Sequence, residues 1–148
     1  MTKGRMTAAW SEDFVTGVPA LDEQHQALFR CVVELEQAAG ERTMLSTCHA
    51  LAQLSRYARE HFADEERLMR EHGYPGIDSH IAAHRDFSHR LFELRRAYLD
   101  EDISSELIAL LRAWLRFHVT TTDMDYVPYL RDIGHTRAEV AECRAAAR

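Results

Sequence analysis

Apolar residues recur at steps of three and four along four stretches of the chain, the signature of helices that each turn one face into a shared core. The first seam runs Leu21, Leu28, Val32, Leu35 and Ala39, and the second Leu51, Leu54, Ala58 and Leu68. The third runs Ile77, Phe87, Leu91, Leu94 and Tyr98, and the fourth Leu107, Leu111 and Trp114. Polar residues interrupt every seam. His25 stands between Leu21 and Leu28, His61 and Glu65 between Ala58 and Leu68, and His80 and His84 between Ile77 and Phe87, while His118 takes the position after Trp114. Burying an imidazole or a carboxylate without a partner costs several kcal/mol, so groups of this kind on converging faces must be given something to bind. Metal is the economical answer.

Helix breakers divide the chain. Residues 1–20, with Gly17 and Pro19, read as an irregular arm; a helix over 21–39 stops at Gly40. A second helix over 43–72 ends at Gly73-Tyr74-Pro75-Gly76, and a third covers 78–99 with Asp78 or Ser79 as its N-cap. The acidic run Asp100-Glu101-Asp102 turns the chain into a fourth helix over 103–122, which reaches Pro128 only in a changed geometry. Residues 136–148 are helix-prone but charged, a loosely docked tail. Short turns between long amphipathic helices force antiparallel neighbours, so the expected fold is all-α: an up-down-up-down four-helix bundle. The expected division is an arm over 1–20, the bundle over 21–133 and a short helical tail over 134–148.

Counting from the turns tests whether the interrupting residues meet. His25 lies about 16 residues before the first turn and His61 about 19 after it, a height difference of roughly 5 Å at 1.5 Å of rise per residue. Glu65 is about ten residues before the second turn and His84 about nine after it; His84 and His118 each lie about 17 residues from the third. The same count puts His80 level with Asp123. Asp123 is the exception in angle, because five residues after His118 is about 140° around an ideal helix, and regular spacing prefers Thr122. The run Thr120-Thr121-Thr122, stiff at χ1 and prone to bond its own backbone, gives a reason for a loosened or bulged turn.

Composition narrows the chemistry. At 148 residues the chain fits one domain, and a formal net charge of -6 argues against a nucleic-acid partner. Residues 1–10 lack the apolar core of a secretory signal, and no long apolar run predicts a membrane span, so a cytoplasmic protein is expected. Cys31, Cys48 and Cys143 form no CxxC pair and read as reduced thiols. Seven nitrogen and oxygen donors without a thiolate exceed what one tetrahedral ion uses, which indicates two metals. A carboxylate-bridged di-iron centre is the natural occupant, and manganese or zinc would accept the same ligands.

The runs Leu21-Asp22-Glu23-Gln24-His25 and His61-Phe62-Ala63-Asp64-Glu65, His80 with His84, and Trp114-Leu115-Arg116-Phe117-His118 through Asp123 resemble the bacterial hemerythrins. The resemblance spans roughly residues 10–130. It implies that His80, His84 and His118 bind one iron, His25 and His61 the other, and that Glu65 and Asp123 bridge the two with an oxo or hydroxo group. It implies further that dioxygen binds reversibly at the open position of the second iron, in an apolar pocket whose matching positions are Leu28, Phe62, Trp114 and Leu115. The expected function is therefore oxygen storage, delivery or buffering. The alternatives are an oxygen or redox sensor, with an unidentified protein recipient or signalling partner, and a di-iron oxidase, peroxidase or nitric oxide reductase. Five neutral imidazoles favour reversible binding over oxidative chemistry, and no further general acid or base stands among the pocket positions. His49, His72, His89 and His135 read as surface groups, as do Arg67, Arg70, Arg112 and Arg116; Asp64 and Glu66 read as a solvated face. Tyr126 and Tyr129 are candidates to hydrogen-bond a bridging carboxylate.

Overall fold

The computed structural model describes residues 10–40, 44–98 and 104–131. Helices α1 (Pro19–Gly40), α2 (Met44–Glu71), α3 (Ile77–Tyr98) and α4 (Ser104–Phe117) form the rods, and α4 continues through a π turn, His118–Thr122, into α5 (Asp123–Arg131). α1 packs on α2 and α4, and α3 packs on the same two helices, which closes a ring of four. The architecture is the expected four-helix bundle, with no strand among the described residues.

The arm is more ordered than its breakers suggest. A 3-10 turn over Glu12–Phe14 leads to Gly17 at φ 82°, and α1 begins at Pro19, two residues before the expected start. Proline at the first helical position has its ring torsion preset, and its missing N–H costs nothing there. Asp22 in the first turn then accepts from Thr16 N and Oγ1, each at 2.8 Å, and from Gly17 N at 3.3 Å. One carboxylate thus pins the arm, and Phe14 lies 4.7 Å from Phe29 between ring centroids.

α2 ends in a Schellman arrangement: Tyr74 N donates to Met69 O at 3.0 Å and Gly73 N to Arg70 O at 3.3 Å, with Gly73 at φ 64°. α3 starts at Ile77, so Asp78 stands in its first turn, where it complements the helix dipole, and neither Asp78 nor Ser79 is the cap. The expected acidic turn at 100–102 and the tail at 134–148 lie outside the described residues, with His135 and Cys143.

Two apolar clusters occupy the bundle. The larger contains Leu28, Val32, Leu35, Leu51, Leu54, Phe62, Phe87, Leu91, Leu111, Leu115 and Val119; the smaller contains Val18, Leu21, Leu68, Met69, Tyr126 and Leu130. In every rod the sequence passes from one cluster to the other through the interrupting histidines and acids. A polar layer is therefore sandwiched between two dry ones.

Candidate metal centre

The layer holds His25, His61, Glu65, His80, His84, His118 and Asp123, each at most 3% exposed. Asp123 reaches it because of the π turn. The wider turn absorbs one extra residue, so the step of five from His118 ends on the inward face. Thr120 Oγ1 donates to Arg116 O at 2.8 Å and Thr121 Oγ1 donates to Phe117 O, side-chain bonds that compete with the regular helical ladder.

The donors sort into two groups of four whose ligand atoms all lie within 4.8 Å of one another: Glu65, His80, His84 and His118, and His25, His61, Glu65 and Asp123. The carboxylates face both ways. Glu65 Oε1 lies 3.1 Å from His61 Nε2 and 3.7 Å from His25 Nε2, while Oε2 lies 3.0 Å from His84 Nε2 and 3.6 Å from His80 Nε2. Asp123 Oδ2 lies 3.0 Å from His25 Nε2, and Oδ1 lies 2.9 Å from His118 Nε2 and 3.2 Å from His80 Nε2.

These atoms fit cations better than they fit one another. His25 and His80 have no aligned hydrogen bond at either ring nitrogen, nor has either oxygen of Asp123 or Oε2 of Glu65, although all are buried. The Nε2 atoms of His84 and His118 stand 3.2 Å apart. Two nitrogens bound at right angles to one ion, at about 2.1 Å each, would be separated by about 3 Å. In the metal-free protein protons take the place of cations. Burial alone pushes the imidazoles down, but the Asp123 and Glu65 carboxylates overcome it and raise His25, His80 and His118 to about 9. At His61 burial wins and the imidazole is lowered. Burial pushes the two acids up, yet the surrounding imidazoles hold both well below the carboxylate range.

Around the layer a second set of side chains fixes ring orientation. His61 Nδ1 donates to Gln24 Oε1 at 2.7 Å; Gln24 Nε2 donates to Asp64 Oδ2 at 2.7 Å, and Arg67 Nη2 donates to Asp64 Oδ1 at 2.9 Å. His84 Nδ1 donates to Glu66 Oε1 at 3.0 Å, and Glu66 in turn pairs with Arg70. A ring that donates from Nδ1 keeps the Nε2 lone pair for the interior, the tautomer a metal needs. Asp64, 5% exposed, and the half-buried Glu66 are thus not the solvated face that periodicity suggests, and Arg67 is not a simple surface charge. Their signal was adjacency to His61, His84 and Glu65 together with the i, i+3 spacing of Asp64 and Arg67. Tyr126 donates to Glu65 Oε1 at 2.8 Å; Tyr129, 40% exposed, packs on Tyr74 instead.

Leu28, Phe62 and Leu115 are buried in the larger cluster beside the layer, and Trp114 packs against that cluster. Phe62 stacks on His84 at 3.9 Å between ring centroids, and Trp114 stacks on His118 at 4.3 Å. His49 and His89 are exposed, and His72 Nδ1 donates to Leu68 O at the end of α2. Cys31 and Cys48 are free thiols; burial pushes the Cys31 thiol up to about 11. No helix among the described residues is long and apolar enough to cross a membrane.

The chain is similar to known proteins along most of its length. The model of the hemerythrin HHE cation binding domain matches residues 16–130. A bacteriohemerythrin of Pseudomonas aeruginosa is 31% identical over 134 residues, covering 90% of this chain and 86% of its own. A myohemerythrin of Riftia pachyptila is 31% identical over 117 residues, covering 79% of this chain and 88% of its own. The crystal structure of a wild-type hemerythrin superposes with a TM-score of 0.75 at 27% identity, covering 82% of this chain and 96% of that one. With the matched segment running from residue 16 to 130 and holding every donor of the layer, the chain belongs to the hemerythrin family.

Proposed function

We propose that the chain holds two iron ions and binds dioxygen reversibly. His80, His84 and His118 would hold one ion and His25 and His61 the other, with Glu65 and Asp123 shared between the two. The observation that carries this reading is the two-way orientation of the carboxylates, each offering one oxygen to the three-histidine group and the other to the two-histidine group. Ferrous iron bound there would supply the two-electron redox chemistry that reversible dioxygen binding needs.

The protein's own groups do the rest. Tyr126 holds Glu65 in its bridging orientation by donating to Oε1, and Gln24 and Glu66 keep the His61 and His84 rings facing inward. Leu28, Phe62, Trp114 and Leu115 would keep water from a bound ligand on the side of the layer that faces the larger cluster. We read the protein as a binder rather than an enzyme, because these apolar positions bring no further acid or base to a bound ligand. We place it in the cytoplasm, with residues 21–133 as the functional bundle.

Metal analysis together with visible spectra of the reduced protein tests the reading. Two irons per chain, and a band that appears in air and fades under argon, are expected. One iron per chain, or continued oxygen consumption with an added reductant, would overturn it.

A further inference from the structure

A groove of about 530 Å³ runs along the outer junction of α2 and α3, within the size class of small-molecule sites. Its floor is apolar: Ala58, Phe62, Phe87 and Leu91 are all buried. Arg59, Arg85 and Arg95 line its rim, and all three are exposed. Among the described residues none of them is in an ion pair, whereas Arg67, Arg70, Arg90 and Arg112 each meet an acid. The one acid in the lining, Glu66, is already engaged by Arg70 and His84. On a chain of net charge -6, three guanidiniums with no ion pair among the described residues, set around an apolar floor, are complementary to an organic anion.

The register of the helices says how such an anion would lie. Phe62 contacts both His84 and Phe87, so it stands level with the space between them. At 1.5 Å per residue on antiparallel helices, Arg59 and Arg85 then fall within about 5 Å of each other in height, on opposite walls, and Arg95 lies about 10 Å from the level of Arg59 and about 15 Å from that of Arg85. Phe92, 56% exposed, stands at that far end. We propose that the groove binds an elongated organic anion of the fatty-carboxylate class. Its head sits between Arg59 and Arg85 and its apolar body lies over Phe87 and Leu91 toward Phe92, where the aliphatic stem of Arg95 covers it. The head end abuts the Phe62 and His84 rings, so an occupant sits one ring from the metal layer.

Titration calorimetry of the iron-loaded protein with dodecanoate, kept below micelle-forming concentration, tests this. One saturable site per chain is expected. Arg59→Ala and Arg85→Ala should each weaken it about two- to fivefold and the double variant about tenfold, since exposed charge pairs have modest individual strength. Arg90→Ala, on the same helix but outside the groove, should leave affinity unchanged, and dodecyl maltoside, which lacks the charge, should not compete. Circular dichroism checks that each variant remains folded. Absence of saturable binding, or equal losses for Arg90→Ala and the groove variants, would overturn the proposal. Binding to anionic phospholipid vesicles without competition from dodecanoate would also overturn it, by identifying a membrane-surface contact. No oxygen chemistry enters the readout, so failure here leaves the di-iron reading intact.

Discussion

The larger apolar cluster and the polar layer beside it are equally buried, yet they hold together for opposite reasons. In the cluster Leu35, Leu51, Leu107 and Leu111 gain from leaving water, and each fully buried side chain of this kind contributes about 1.5–3 kcal/mol. In the layer His25, Glu65, Asp123 and their neighbours lose their hydration, and both ring nitrogens of His25 and His80 and both oxygens of Asp123 are left without an aligned hydrogen bond. The cluster is complete as protein; the layer is complete only with cations. The lesson is that one set of helices can carry a costly region when dry layers on both sides fix its geometry.

The largest effect should come from removing a donor. Glu65→Ala takes an oxygen from both groups at once and His118→Ala removes one of three imidazoles, so each should abolish the two-iron complement, while the exposed His49→Ala should retain it. Metal analysis of the purified variants measures this. Retention of two irons by Glu65→Ala would break the contrast, because the layer would then not depend on its shared carboxylate.

Removing the metal instead of a ligand should expose the difference through pH. In the metal-free protein His25, His80 and His118 have folded pKa values near 9 against 6.5 unfolded, because the two carboxylates outweigh burial. Their stabilising contribution is complete below pH 6.5 and is lost as pH rises through 9. The depressed acids act in the other direction: their contribution is present above about pH 4 and is lost on acidification. The lowered imidazole of His61 opposes protonation, so its contribution weakens as pH falls below 6.5. The apoprotein should therefore melt highest near pH 6.5 and fall in melting temperature toward pH 9, whereas the iron-loaded protein should not weaken over that alkaline interval. Leu51→Ala, in the cluster, should cost about 2–5 kcal/mol with or without metal. Thermal melts of both forms at pH 6 and 9 separate these outcomes, and an apoprotein insensitive to that change would remove the distinction.

Much of this contrast was legible in the sequence because helical period and rise are nearly constant. The four seams, the short turns and the heights of His25, His61, Glu65, His80, His84 and His118 follow from counting. Asp123 did not follow, since an ideal helix points it about 140° away from His118, and only the π turn brings it inward. The resemblance to the hemerythrins supplied it instead. Gln24, Asp64 and Glu66 were missed for a different reason. Periodicity assigns such residues to the polar face, and it cannot say that a neighbouring helix lies close enough for Gln24 to reach both His61 and Asp64.

Those missed residues set the next effect in size. Gln24→Leu should remove the acceptor at His61 Nδ1 and leave Asp64 facing an apolar group, weakening metal retention about 10- to 100-fold, as loss of a ligand's supporting bond does elsewhere. Gln24→Glu keeps an acceptor for His61 but sets a carboxylate against Asp64, so it should restore only part of the affinity. Chelator competition on the loaded variants ranks them, and equal retention by both would mean that the ring of His61 is held by packing alone.

The smallest effect should come from the boundary itself, where the dry cluster meets the layer at Leu115. This side chain is 5% exposed and shares its cluster with Leu28, Phe62 and Val119. Leu115→Phe adds bulk without a polar atom and serves as the reference, with a packing cost of about 1–3 kcal/mol from overfilling the cluster. Leu115→Tyr adds nearly the same bulk and a hydroxyl that must find a hydrogen-bond partner once buried. If the cluster protects bound oxygen by withholding protons and water, the tyrosine variant should autoxidise several-fold differently from the phenylalanine variant at unchanged iron content. Equal rates would place Leu115 outside the ligand's surroundings and reduce its role to filling space.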